Sequence, residues 1–143
     1  MSKTEGWEPR LAAFVEEKRG ATLAWGQLDC CLLAADWVAV ATGVDPVPEF
    51  RGGYKTGRGA LPVLKRFAGG GVLAAAEKVA MRIGAEEVPV ARAQRGDVMA
   101  FPADPAGGFD HGLGVCIGAL SLVFGLEKVE AAPTAKAARA WRL

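Results

Sequence analysis

Residues 30–42 are the segment that most constrains the fold. They read Cys-Cys-Leu-Leu-Ala-Ala-Asp-Trp-Val-Ala-Val-Ala-Thr and contain neither glycine nor proline. A run this long and this apolar is typical of a buried helix, because a surface helix keeps a polar face. Asp29 is a suitable N-cap and Gly43 a suitable C-terminal stop. The sequence therefore predicts a central helix around which the other elements pack.

The chain changes character after about residue 80. Before that point, helical spacing of apolar residues or a high alanine content predicts further helices over 7–19, from 56 or 59 to 68, and over 72–80. After it, short apolar runs separated by turn residues predict strands over 88–90, 98–101, 113–117, 122–124 and 127–130. Helices followed by antiparallel strands make the expected class α+β. The 143 residues suit a single domain, 1–143, with a helical part over about 7–80 and a β part over about 88–130.

Charge and hydropathy narrow the classes of partner. Seventeen Lys and Arg against sixteen Asp and Glu give a net charge of +1, so we expect no nucleic-acid partner. The best apolar run, 113–126, is interrupted by glycines and is shorter than the roughly 18 residues of a membrane span. The first residues are polar and contain no apolar signal core, so we expect synthesis in the cytoplasm without a signal peptide.

The chain has three cysteines, Cys30, Cys31 and Cys116. An odd number does not suit a disulfide framework, and adjacent cysteines rarely bridge each other because the geometry is strained. One histidine and a Cys-Cys pair also lack the ligand spacing of a zinc site, so we expect no metal.

Cys30 and His111 are the candidates for chemistry. Cys30 is placed at the start of the buried helix, where the helix dipole and free amides stabilise a thiolate. His111, the only histidine, precedes an apolar strand, and a neutral imidazole is the natural base for a thiol. The alternatives are that Cys30 is a small core residue and that His111 is a surface residue or a hydrogen-bonded core residue.

Three segments, in this order, resemble the signatures of NlpC-type papain-like cysteine peptidases. They are Trp-Gly-Gln-Leu-Asp-Cys-Cys-Leu-Leu at 25–33, Gln-Arg-Gly-Asp-Val-Met-Ala-Phe at 94–101 and Asp-His-Gly-Leu-Gly-Val-Cys-Ile-Gly at 110–118. The resemblance implies a papain-like fold with N-terminal helices packed on a short antiparallel sheet. It also implies that Cys30 is the nucleophile, that His111 is its base and that no cofactor is needed.

Further short motifs resemble an NlpC-like group from tailed bacteriophages and prophages. These are Trp-Gly-x-x-Asp-Cys at 25–30, Ala-Asp-Trp-Val at 35–38, Gly-x-Asp-Pro at 43–46, Arg-Gly-x-Tyr at 51–54 and Ala-Trp-Arg at 140–142. This resemblance implies a cell-wall hydrolase that cuts an amide bond in peptidoglycan stem peptides. It further implies incorporation in the virion tail of a phage, with other tail-tip proteins as partners.

The supporting residues of such a site are less well defined. The family places a polar residue on the strand after the histidine, and here that strand offers only Ser121. Gln27 is a candidate oxyanion donor or a solvated loop residue, and Asp29 fits a helix cap better than a catalytic group. Trp25 and Tyr54 are candidates for a substrate groove, although Trp25 fits packing under the loop better. The sparse polar residues leave two alternatives open: an inactive NlpC-like domain that serves as a structural part of the tail tip or baseplate, or acyl transfer without hydrolysis.

Overall fold

The computed structural model describes residues 2–143, and within them four α-helices precede a sheet. The helices are α1 (Trp7–Lys18), α2 (Cys30–Thr42), α3 (Gly57–Ala68) and α4 (Val72–Ile83). The predicted helices are confirmed, and α4 ends at Ile83 rather than at residue 80. None of these described helices is long and apolar enough to cross a membrane.

Helix α2 lies in the main hydrophobic core, as its apolar sequence predicts. Asp29 caps it by accepting a hydrogen bond from the amide of Leu32 at 3.0 Å. Gly43 ends it at φ 83°, a left-handed conformation that glycine adopts without steric cost. The fully buried Trp37 donates its indole N–H to the carbonyl of Gly96 at 2.8 Å. This bond fastens the helix to the turn that precedes the strand over Val98–Pro102.

Six strands follow within the same described residues. They are β1 (Glu86–Val88), β2 (Val98–Pro102), β3 (His111–Cys116), β4 (Leu120–Phe124), β5 (Val129–Pro133) and β6 (Arg139–Arg142). They form one sheet in the order β1-β6-β2-β3-β4-β5, and every neighbouring pair is antiparallel. Helices followed by an antiparallel sheet confirm the predicted α+β class.

Strand β6 is not indicated by the sequence pattern. Its Trp141 lies between Glu87 of β1 and Val98 of β2 in the register. The segment Arg-Ala-Trp-Arg has little strand propensity of its own, and it becomes a strand because partners on both sides pair with it. The strand expected over 127–130 is displaced, since β5 begins at Val129.

The two faces of the sheet bury different residues. Side chains alternate along a strand, so His111, Leu113 and Val115 of β3 share one face. Leu113 and Val115 belong to the main core against the helices, whereas Met99 and Cys116 belong to a smaller cluster on the opposite face. This division decides which side chains can meet at the N-terminus of α2.

Candidate active site

A buried carboxylate fixes the turn before Cys30, the first residue of α2. Asp29 is 1% exposed, and one of its oxygens accepts from the amide of Leu32. The other oxygen accepts from the amide of Gly26 at 3.1 Å, which closes the preceding loop onto the helix end. Asp29 is therefore a helix cap, as predicted, and it positions the candidate nucleophile.

Tyr54 lies beneath this loop rather than in a groove. It is 8% exposed, and its hydroxyl donates to the Asp29 carboxylate at 2.7 Å. Burial, together with the negative charge of Asp29, raises the pKa of Tyr54 well above its ordinary value, so the hydroxyl remains a donor. Gly26 allows the close approach, because a Cβ there would lie 2.0 Å from the carbonyl oxygen of Tyr54. Tyr54 thus supports the Cys30 loop from inside the protein.

The surroundings of the Cys30 sulfur favour the thiolate. The largest influence on the pKa of Cys30 is a hydrogen bond from the Cys31 thiol, which lowers it. Burial acts in the opposite direction and raises the pKa, and the backbone amide of Leu113 lowers it further. The same contact, together with burial, raises the pKa of Cys31 well above its ordinary value. The two neighbouring thiols therefore differ: the pKa of Cys30 is lowered and that of Cys31 is raised, so Cys30 is the candidate nucleophile of the two.

His111 is the first residue of β3 and lies two residues before Leu113 on the same face. Because Cys31 and Leu113 line the same cavity, the start of α2 and strand β3 lie in one region of the protein. The His111 side chain is 20% exposed. Within residues 2–143 no hydrogen bond joins the Cys30 thiol to the His111 ring, whose partner is Asp110. Catalytic hydrogen bonds are often long without substrate and tighten in the complex.

Asp110 is the site residue that sequence reasoning missed. Its Oδ2 lies 2.9 Å from Nδ1 of His111. Its two oxygens also accept from the amides of Val72 at 2.8 Å and Leu73 at 3.2 Å, at the N-terminus of α4. Burial acts to raise the pKa of Asp110, but the hydrogen bonds from His111 and from these amides outweigh it and hold the pKa below its ordinary value.

The Asp110 contact fixes the form of the neutral His111 ring. An ionised carboxylate can only accept a hydrogen bond, so Nδ1 carries the proton and Nε2 is left as the basic nitrogen. The orienting group therefore comes from the residue before the histidine, and not from the next strand.

The glycine before α4 makes room for this carboxylate. A Cβ at Gly71 would lie 2.1 Å from Oδ1 of Asp110, so a side chain there would displace it. Asp110 could have been found from its place directly before the only histidine, together with this glycine before a helix.

Ser121 does not orient His111, and the prediction for it is corrected. It is paired with Cys116 in the register of β3 and β4, on the sheet face that turns away from the helices. It is fully buried there, and its hydroxyl is 2.8 Å from that of Thr134. A strand alternates its side chains, so a residue with this register cannot reach the helix-facing side.

Trp25 links the Cys30 loop to the loop that precedes His111. Its ring stacks on Phe109, with centroids 5.5 Å apart and an angle of 12° between the planes. A Cβ at Gly57 would come within 3.0 Å of the same ring, so the start of α3 also abuts it. Trp25 is half-buried, which favours packing between the loops, and part of its surface remains exposed. Gln27 is exposed in the same loop, and its oxyanion role stays a prediction.

The side chains gathered here are those of nucleophilic catalysis: a thiol, an imidazole and a carboxylate. Within residues 2–143 no group of three or more His, Cys, Asp and Glu side chains is placed to hold a metal ion.

Comparison with known proteins gives one match for the chain. The model of a protein family described as a domain of unknown function, DUF6950, matches residues 2–143. No curated protein matches significantly. No solved structure does so either.

Proposed function

The chain belongs to the DUF6950 family of unknown function, and we propose that it is a cysteine-dependent amide hydrolase. Cys30 is its nucleophile, His111 its general base and acid, and Asp110 the residue that orients the imidazole. The observation that carries the proposal is the place of Leu113. Leu113 and Cys31 line the same cavity, which sets the Cys30 end of α2 beside β3, and Leu113 lies two residues from a histidine whose Nδ1 is held by a carboxylate.

The reaction follows from these groups. His111 takes the proton of the Cys30 thiol at Nε2, and the resulting thiolate attacks the carbonyl carbon of the amide, so that a carbon–sulfur bond forms. The carbon–nitrogen bond then breaks, and the amine leaves with a proton from His111. Water, deprotonated by His111, attacks the thioester, which releases the carboxylic acid and restores the thiol. Amides of the first turn of α2 have no partner inside the helix, and with Gln27 they are candidate donors to the oxyanion.

The resemblance of the three sequence segments to NlpC-type peptidases suggests the substrate and the setting. On that basis the fold is of the papain-like type, and the substrate is an amide bond in peptidoglycan stem peptides. The protein would act at the tail tip of a bacteriophage, next to other tail-tip proteins. The α+β order of elements, with Cys30 opening a buried helix and His111 opening a strand, supports this assignment.

A structural role in the tail tip or baseplate is the second candidate. The observation that favours it is that no hydrogen bond joins Cys30 to His111 within the described residues. In that case the domain would keep its shape without turnover.

The test is digestion of purified peptidoglycan by the full chain, with products identified by mass spectrometry. We expect new amino and carboxyl termini in the stem peptides, lost in Cys30→Ser and His111→Ala but kept in Cys116→Ser, whose thiol lies on the far face of the sheet. The pH dependence of Cys30 alkylation by iodoacetamide accompanies it. If Cys30 reacts no faster than a free thiol at neutral pH and no stem peptide is cut, the structural role stands instead.

A further inference from the structure

An apolar cavity of about 60 Å³ lies between α2, α4 and the helix-facing side of the sheet. Its lining residues are apolar apart from the thiol of Cys31, and no charged side chain is among them. One water molecule occupies roughly 10–15 Å³ of such a cavity, so the cavity has room for about four or five atoms of that size. Water has too few polar partners there, whereas an apolar group gains by leaving water.

Small side chains create this space. Six of the lining positions are alanines: Ala34, Ala35, Ala75, Ala76, Ala80 and Ala85. Cores are normally packed without such voids, so buried alanines that face one another across a gap leave a vacant volume. Larger apolar side chains at these positions would have filled it.

The cavity begins beside the candidate nucleophile. Cys31, the neighbour of Cys30, is one of its lining residues, and the α2 residues from Cys31 to Val38 lie along it for about 10 Å at the helical rise. Leu113, two residues after His111, also lines it. A carbonyl carbon held at Cys30 is therefore one residue along the chain from the wall of the cavity.

We propose that this cavity is a specificity pocket that receives an uncharged apolar group of about four carbons, carried on the acyl side of the bond that Cys30 attacks. The proposal rests on the proposed function, and it adds the class of acyl group. A charged group would lose its hydration inside walls that offer no partner, so acidic or basic side chains are rejected. The preferred substrates carry a small aliphatic chain next to the reacting carbonyl.

The first arm of the test measures binding without catalysis. Thermal melting of Cys30→Ser is followed with increasing pentanamide, an uncharged amide of the right length, and with succinamic acid as its charged counterpart. We expect stabilisation by pentanamide only. Ala80→Val adds two carbons inside the pocket and should abolish the effect, whereas Ala74→Val makes the same change on α4 outside the lining and should leave it intact.

The second arm measures acylation of the wild-type chain by p-nitrophenyl acetate, butyrate and hemisuccinate, each rate divided by that of free cysteine. Each buried methylene is worth about a fourfold change, so we expect butyrate to exceed acetate by about 15-fold. The normalised acylation rate with hemisuccinate should not exceed that with acetate. Ala80→Val should abolish the preference for butyrate over acetate.

The outcomes separate the two claims. If the three esters acylate the wild type at equal normalised rates, and Ala80→Val does not change these rates, the pocket is overturned. Cys30 would still be a nucleophile in that case. No acylation by any ester would count against the proposed function, and the binding arm would then decide the pocket alone. The pocket would also be overturned if pentanamide raised the melting temperature of Cys30→Ser/Ala80→Val as much as that of Cys30→Ser.

Discussion

Asp110→Asn is the substitution that tests the candidate site most directly. The shape of the side chain is kept, but the amide group of asparagine has one acceptor oxygen where the carboxylate has two. In the protein the carboxylate accepts from Nδ1 of His111 and from the amides of Val72 and Leu73. If the asparagine oxygen takes the Oδ1 position and keeps the amide of Val72, its NH₂ group takes the Oδ2 position and faces both Nδ1 and the amide of Leu73. His111 must then accept at Nδ1 and carry its proton on Nε2, the nitrogen that should act as base.

The magnitude follows from two separate losses. The helix end loses one cap hydrogen bond and the attraction of a negative charge, together about 1 kcal/mol. For a chain of this size that is a fall in melting temperature of about 4 °C. The Asp110 side chain is 42% exposed, so solvent screening makes its ion pair with a charged His111 a minor contribution. Loss of general base catalysis lowers turnover far more, by about 100-fold or greater.

The assay uses the fact that His111 is the only histidine. Every histidine ring signal in a nitrogen-15 NMR spectrum belongs to it, so the protonated nitrogen is read directly at a pH where the ring is neutral. Peptidoglycan digestion supplies the turnover. Asp104→Asn is the matched control, because Asp104 lies in the same loop and, within residues 2–143, its carboxylate accepts from the amide of Ala106 and not from His111 or α4. Retention of the Nδ1 proton and of turnover in Asp110→Asn would refute the orienting role.

Acid stability gives the same substitution a second readout. The folded-state pKa of Asp110 lies below its ordinary value, so its contribution to stability is complete above the unfolded value of about 4. That contribution is lost as the pH falls through the lower folded value. Asp110→Asn should therefore remove part of the stability loss below about pH 4, and an acid unfolding curve parallel to that of the wild type would contradict this.

Three further predictions follow from single contacts. Gly71→Ala puts a Cβ 2.1 Å from the carboxylate, so it should lower stability and turnover together, whereas Gly107→Ala, with open space around it, should do neither. Cys31→Ala removes the thiol donor and should shift the alkylation profile of Cys30 to higher pH, and Cys31→Ser, which keeps a donor, should shift it less. Tyr54→Phe deletes a hydrogen bond to a buried carboxylate and should cost about 2 kcal/mol in a urea titration with an unchanged m-value.

The elements that local sequence controls were predictable. Helix α2 follows from an apolar run between Asp29 and Gly43, because capping and glycine stops depend on neighbours along the chain. The place of Cys30 at the start of that helix follows from the same residues. The features that long-range pairing controls were not predictable. Strand β6 exists because β1 and β2 pair with it, and the face that Ser121 occupies depends on the register of β4.

Asp110 shows why the residue that orients His111 is hard to predict from the sequence. The sequence predicts a polar residue on the strand after His111, but there Leu122 faces the helices and Ser121 and Val123 alternate to the other side. The contact to Nδ1 comes from Asp110, the residue before His111, which alone would be a poorly fixed loop side chain. The amides at the start of α4 supply the missing constraint, since they hold both carboxylate oxygens.

One carboxylate therefore docks a helix and orients a base. The orientation of His111 then depends on how α4 packs, so a substitution that loosens the N-terminus of α4 should impair catalysis without touching Cys30 or His111. Helix α4 also forms one wall of the apolar cavity that Cys31 lines. In the proposed enzyme the position of this helix would therefore govern both the space for an acyl group and the orientation of the base. The N-cap residue of α4, Gly71, has no side chain to cap the helix, and Asp110 of the candidate site binds the first amides instead. The shared dependence on α4 gives a physical reason for this arrangement.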